Sequence, residues 1–173
     1  MDKPIKTLQD ALTYQIQGLL QAERKVGEAF KTFSPYISSA EVKELTGAYV
    51  RNTDNVTCKL DRAFNYLMTE PVFRKNEIVD KMIDETEYLL TYTAPSYLKD
   101  IVMIGCLENI NAYKASALQT AYLMAIELEL DTVADLLQQI LSWELVTSKQ
   151  LTDLSIHEFN KLNDSVNVKG DLQ

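Results

Sequence analysis

The sequence predicts an all-α protein, a four-helix bundle with an additional shorter helix in the connection between the second and third long helices. Three observations carry this. The 173 residues include only five glycines and four prolines, so breaks are few and long uninterrupted elements are favoured. Apolar residues recur in steps of three and four through four long segments, the period of a helix face, and no segment sustains the two-residue alternation of a strand. With 46% hydrophobic and 24% charged residues, the chain has the composition of one that buries a core. A single domain over residues 1–160 is expected, followed by a polar, frayed tail over 161–173.

The first helix is predicted from Leu8 to Phe33, with Thr7 as N-cap and Ser34-Pro35 as the stop. The second opens at Ser38-Ser39-Ala40-Glu41, where a serine and a glutamate three residues later can satisfy free N–H groups, and runs to Met68 ahead of Pro71. A shorter helix spans Glu77 to Thr93 and ends at Pro95. The third long helix starts after Ser96 and reaches about Glu129. Asp131 is expected to cap the fourth, which extends to Phe159. None of these stripes can be buried by its own helix, so the helices must pack on one another.

Charge and motifs exclude several function classes. A net charge of -8 with no basic run argues against nucleic-acid partners, which need clustered Lys and Arg against phosphate. The most apolar stretch, residues 109–126, contains Asn, Gln, Ser, Thr and Lys, so no membrane span is expected. MDKPIKTLQD lacks the apolar core of a secretory signal, and a cytoplasmic location is the expectation. Cys58 and Cys106 have no metal-type spacing and are read as buried, reduced thiols. No phosphate loop and no Ser/His/Asp set is present. Trp143 is read as packing, and His157 as a surface or helix-end residue.

The informative feature is where polar residues interrupt the apolar stripes. The first helix gives Leu12, Ile16, Leu19, Glu23, Val26 and Phe30, with Glu23 central. The fourth long helix gives Val133, Leu137, Ile140, Glu144, Thr147, Leu151 and Leu154, with Glu144 central. The third gives Leu107, Ile110, Lys114, Ala117 and Ala121, and the second gives Val42, Leu45, Tyr49, Asn52, Val56, Leu60 and Ala63. A lone charge in a core is costly enough to neutralise instead. Four interruptions at four helix midpoints therefore predict one polar layer across the bundle.

At these same positions the chain resembles the bacterial YciE/YciF family of ferritin-like, stress-associated proteins. The resemblance rests on Leu136-Leu137, Leu141, Glu144, Thr147 and the run Leu151-Thr152-Asp153-Leu154-Ser155-Ile156. It continues in Lys6-Thr7-Leu8 with Asp10, in Ala22-Glu23-Arg24, and in Tyr113 with Ala115-Ser116. It covers most of the chain and thins through residues 35–95, where the family's cysteine-containing segment is absent.

The resemblance implies a ferritin-like four-helix bundle. Such folds hold two metal ions with a Glu from each of two helices and a Glu-x-x-His pair from each of the others. By resemblance, Glu23 falls on the first-helix ligand and Glu144 on an acidic position of the last helix. The second helix departs from the pattern, reading Asp54-Asn55-Val56-Thr57 where carboxylate and His belong. The third departs too, reading Ile110-Asn111-Ala112-Tyr113-Lys114-Ala115, with Asn111 and Lys114 replacing glutamates. Ser148 stands where a further acid is expected. With one histidine in the whole chain, two Glu-x-x-His pairs cannot form.

The expectation is a metal-free, cofactor-free protein without ferroxidase or other enzymatic activity. In it, Lys114 supplies the positive charge between Glu23 and Glu144, and the amides of Asn52, Asn55 or Asn111 complete the hydrogen bonding. The rival expectation is a non-standard metal or redox site built from Glu23, Asp54 and Glu144. A homodimer through the surplus apolar face of Tyr88, Leu89, Tyr92 and Tyr97 is expected, with another protein as a further possible partner.

Overall fold

The computed structural model describes residues 4–170, with side chains through residue 163. The helices are α1 (Leu8–Phe33), α2 (Ala40–Tyr66), α3 (Glu77–Tyr92), α4 (Ser96–Glu127) and α5 (Asp131–Gly170), with a 3-10 turn at Ser34–Tyr36. No strand occurs among the described residues. α5 continues past Phe159 to Gly170, so helix occupies much of the stretch expected to fray; residues 171–173 of that tail lie outside the described residues.

Local signals set the boundaries. At α1, the Thr7 hydroxyl accepts from the Asp10 amide at 3.0 Å and Asp10 accepts from the Thr7 amide at 2.9 Å, a reciprocal cap. At α2 the cap is Ser39, which accepts from the Val42 amide at 3.4 Å, and not Ser38. Ser38 is taken by Asp100 of α4. That carboxylate accepts from the Ser38 amide at 2.8 Å, from the Ser39 amide at 3.0 Å and from the Ser38 hydroxyl. α2 thus starts where α4 fixes it. Asp131 is the first residue of α5 instead of its cap; the Leu130 carbonyl closes that turn by accepting from Ala134 at 2.9 Å.

α2 and α4 end without glycine. Met68 and Glu129 take the left-handed conformation, with φ of 50° and 55°. The amide beyond each reaches back five residues, Thr69 to Phe64 at 3.2 Å and Leu130 to Ala125 at 2.9 Å. These bonds satisfy helix-end carbonyls that would otherwise be orphaned.

The four long helices form a ring in the order α1, α2, α5, α4, and α3 lies outside against α1 and α4. α4 therefore touches three helices, which explains why apolar residues surround it and do not form one stripe. α4 and α5 make the most extensive contact, and the small residues Ala117, Ala121 and Ala125 of α4 and Ala134 of α5 are buried in the same core cluster. The core is divided in two. One half holds Leu12, Ile16, Leu60, Phe64, Leu118 and Leu137. The other holds Val26, Phe30, Val42, Leu90, Leu107 and Leu151. Between them lies the polar layer.

Candidate functional site

The layer is built by four helices. Glu23 comes from α1, Tyr49 from α2, Asn111 and Lys114 from α4, and Glu144 from α5. All are buried: Lys114 and Glu144 at 0% exposure, Glu23, Tyr49 and Asn111 at 1%. Lys114 Nζ lies 2.5 Å from Glu23 Oε1 and 2.8 Å from Glu144 Oε1. It donates to the Tyr49 hydroxyl at 2.7 Å, and that hydroxyl in turn lies 3.5 Å from Glu144 Oε2 as donor. The amide of Asn111 donates to Glu144 Oε2 through Nδ2. The Tyr49 ring packs on Trp143, centroids 5.6 Å apart, which holds the phenol in place.

Two carboxylates face one ammonium here. Burial pushes the Glu23 carboxyl up to about 7; the Lys114 charge opposes this and the Glu144 charge adds to it. For Lys114, burial favours loss of the proton, but Glu23, Tyr49 and Glu144 outweigh it and hold the ammonium well above the ordinary lysine range. Burial also raises the Tyr49 phenol. Glu23 Oε2 and Asn111 Oδ1 have no hydrogen-bond partner.

Glu23, Asn111, Lys114 and Glu144 are thus brought together, while the remaining residues read as part of the layer lie elsewhere. Asn52 is half-buried and accepts at 3.2 Å from exposed Asn55, an arrangement on the outer side of α2. Asp54 is exposed, Thr57 half-buried and Ser148 exposed. α2 is rolled relative to the expected stripe, so that Thr46 and Thr53 are buried where Leu45 and Asn52 were expected. The cause is Gly27 on α1. A Cβ at Gly27 would stand 2.7 Å from Thr53 Oγ1, so the bare glycine receives Thr53 and sets the face that α2 turns inward. On α5, Thr147 takes the buried position one turn beyond Glu144, which leaves Ser148 to solvent.

Tyr49 was hidden among the apolar residues of its stripe. The available signal is that a buried phenol needs a hydrogen-bond partner, and its place is one turn from the stripe's polar midpoint. Cys58 is exposed, contrary to expectation, because Val56 and Leu60 take the inward positions of that turn; Cys106 is half-buried, and both thiols are free. His157 is exposed, 4.0 Å from Glu41.

Comparison with known proteins adds the family. A model for a domain of unknown function, DUF892, matches residues 7–162. The chain belongs to this family. Protein YciF of Escherichia coli (strain K12) is 22% identical to this DUF892 chain over 158 residues, which is 91% of the chain and 95% of YciF. The crystal structure of the E. coli stress protein YciF matches with a TM-score of 0.87 at 21% identity, covering 91% of this chain and 99% of that one. YcfI from Rhodopseudomonas palustris matches with a TM-score of 0.84 at 18% identity, covering 88% and 97%. These likenesses show the fold, the ferritin-like helical bundle.

A ferritin-like fold raises the question of a di-metal centre, and the donor set of this DUF892 chain does not fit one. An ammonium lies within hydrogen-bonding distance of both buried carboxylates, and no imidazole is near them. Among the described residues, no three His, Cys, Asp or Glu side chains gather as a metal site requires. The three-carboxylate alternative fails on Asp54, which faces solvent. A groove of about 660 Å³ between α3 and α4 is lined by Met82, Thr86, Leu89 and Cys106 and includes none of the buried cluster. No helix among the described residues is long and apolar enough to cross a membrane.

Proposed function

We propose that this DUF892 member is a non-enzymatic, stress-associated protein in which a buried lysine bound by two glutamates replaces the di-metal centre of its fold. It acts structurally or through a protein partner, as a homodimer, in the cytoplasm. The observation that carries the reading is the contact of one ammonium with two carboxylates, Lys114 Nζ at 2.5 Å from Glu23 and 2.8 Å from Glu144. A cation cannot enter that position without expelling another. The description of YciF as a stress protein supports the biological setting.

The surface supports association. Tyr88, Tyr92 and Tyr97 are 56%, 73% and 50% exposed, and the Tyr88 and Tyr92 rings lie with centroids 4.6 Å apart, tilted by 43°. Leu89 is half-buried beside them. Exposed aromatics of this kind are favoured at interfaces.

Metal analysis tests the central claim. Protein purified from cells supplied with iron and manganese, then dialysed, should carry well under stoichiometric metal. Retention of one or two ions per chain, lost in Glu23→Gln, would overturn the reading. Light scattering coupled to size exclusion tests the dimer; a monomer at high concentration would remove that part.

A further inference from the structure

The cluster is more than a neutralised pair, and its geometry resembles a coordination shell. Three oxygens from three helices surround Lys114 Nζ: Glu23 Oε1 at 2.5 Å, Tyr49 OH at 2.7 Å and Glu144 Oε1 at 2.8 Å. Two further buried oxygens in the same cluster, Glu23 Oε2 and Asn111 Oδ1, have no hydrogen-bond partner. Two carboxylates against one ammonium leave one formal negative charge in excess.

We propose that Lys114 is a tethered cation seated in an all-oxygen cage suited to a single hard divalent ion, and that removing its ammonium opens a one-to-one site for such an ion. This rests on the reading that the wild-type protein is metal-free, and deepens it by naming what the lysine keeps out. The ligand class follows from the donors. The three oxygens in contact with Nζ, with no nitrogen or sulfur among them, select a hard cation over zinc or copper, which favour imidazole and thiolate. The shell radius selects among hard cations. Oxygens at 2.5–2.8 Å from the centre need to contract only slightly for Ca²⁺, which takes six to eight oxygens at about 2.3–2.6 Å. Mg²⁺ demands an octahedral shell at about 2.0–2.1 Å and gives up water reluctantly, so it should bind worst. Mn²⁺ shares the oxygen preference. A doubly charged ion would also cancel both carboxylates, which the ammonium does not.

The tethered ammonium has an advantage over a free ion in this position. It is present at every metal concentration, and its effective concentration is set by the backbone, so no change in cellular metal can empty the layer. A cytoplasmic stress protein with this device keeps its core intact whether divalent ions are scarce or abundant.

The test compares wild type, Lys114→Ala and the double variant Glu23→Gln/Lys114→Ala, each titrated with CaCl₂, MnCl₂ and MgCl₂ after removal of metal with EDTA. Calorimetry and the thermal midpoint are the readouts. In K114A, Ca²⁺ or Mn²⁺ should bind one-to-one and raise the midpoint by at least about 5 °C at a hundredfold excess over the dissociation constant. Mg²⁺ should bind at least about tenfold more weakly, and the double variant should lose the response. Should K114A be unfolded without metal, the same ions should restore its helical circular dichroism. Absence of any saturable response or refolding in K114A overturns the proposal, and so does an equal response in the double variant, which would mark a surface site. Stoichiometric metal in the wild type would instead overturn the metal-free reading, and the two failures are therefore distinct.

Discussion

Lys114 of α4 and Glu23 of α1 form a fully buried ion pair, Nζ to Oε1 at 2.5 Å, at the boundary between the two halves of the core. At an effective dielectric of about 20, an ion pair near contact is attracted by roughly 4 kcal/mol. Desolvation returns much of that. The pair's importance therefore shows when one partner is removed.

Replacing Lys114 with Met keeps the stem and deletes the charge, leaving two carboxylates facing each other in an apolar core. A loss of about 3–5 kcal/mol is expected, as for other buried pairs broken on one side. Urea denaturation measures it; a change under about 0.5 kcal/mol would mean that the contact carries no weight.

Stability should depend on pH through Glu23. Its carboxyl titrates at about 7 in the folded protein against an ordinary 4.5. Between these values the native state keeps a proton that the unfolded chain has released. This contribution to stability therefore grows as pH falls through about 7, and levels off below about 4.5. The slope is at most about 1.4 kcal/mol per pH unit. Glu41 behaves oppositely. Its own backbone amide, then Ser39 and Lys161, hold it at about 2, so its contribution is lost only below the ordinary carboxylate range. Denaturation of wild type and Glu23→Gln from pH 5 to 8 should give curves that diverge through this window, and parallel curves would refute the assignment.

Tyr49→Phe removes a hydroxyl that accepts from Lys114 and faces Glu144 while leaving the ring against Trp143. A cost of about 1–3 kcal/mol is expected from the unsatisfied ammonium hydrogen. A double-mutant cycle with Lys114→Met should show strong coupling between the two positions, whereas additive effects would place Tyr49 outside the network.

Gly27→Ala should destabilise by about 1–3 kcal/mol, because the new methyl meets Thr53 Oγ1, and that hydroxyl is held by donation to the Val50 carbonyl at 2.7 Å. Thr53→Ala in the same chain should recover part of the loss. Failure of that rescue in thermal melts would show that the α1–α2 approach is not governed by this contact.

Three of the four sets of inward positions were legible because each carries one charge at its centre among otherwise uncharged residues at helical spacing. Leu12 to Phe30, Leu107 to Ala121 and Val133 to Leu151 are all buried, with Glu23, Lys114 and Glu144 inside them, and Leu154 at the end of the last stripe is half-buried. α2 was not, since steps of three and four through Val42, Tyr49 and Val56 allow either Asn52 or Thr53 to face inward, and the choice was made by a glycine on another helix. Asp54, Asn55 and Thr57 were drawn in by family spacing alone, and the roll of α2 leaves two of them exposed and Thr57 half-buried. Tyr49 escaped notice because hydropathy counts its ring and not its hydroxyl. The Asp100 clamp on Ser38 and Ser39 joins positions about 60 residues apart, a long-range pairing with no local sequence signal.

The split core has a mechanical consequence. Smooth aliphatic seams between helices can slip by one turn, about 5.4 Å, at modest cost. Here a slip of α4 along α1 would drag a charged amine into hydrocarbon and strand two acids behind it. The polar layer therefore acts as a detent that permits one longitudinal alignment of the helices and makes every neighbouring notch electrostatically forbidden.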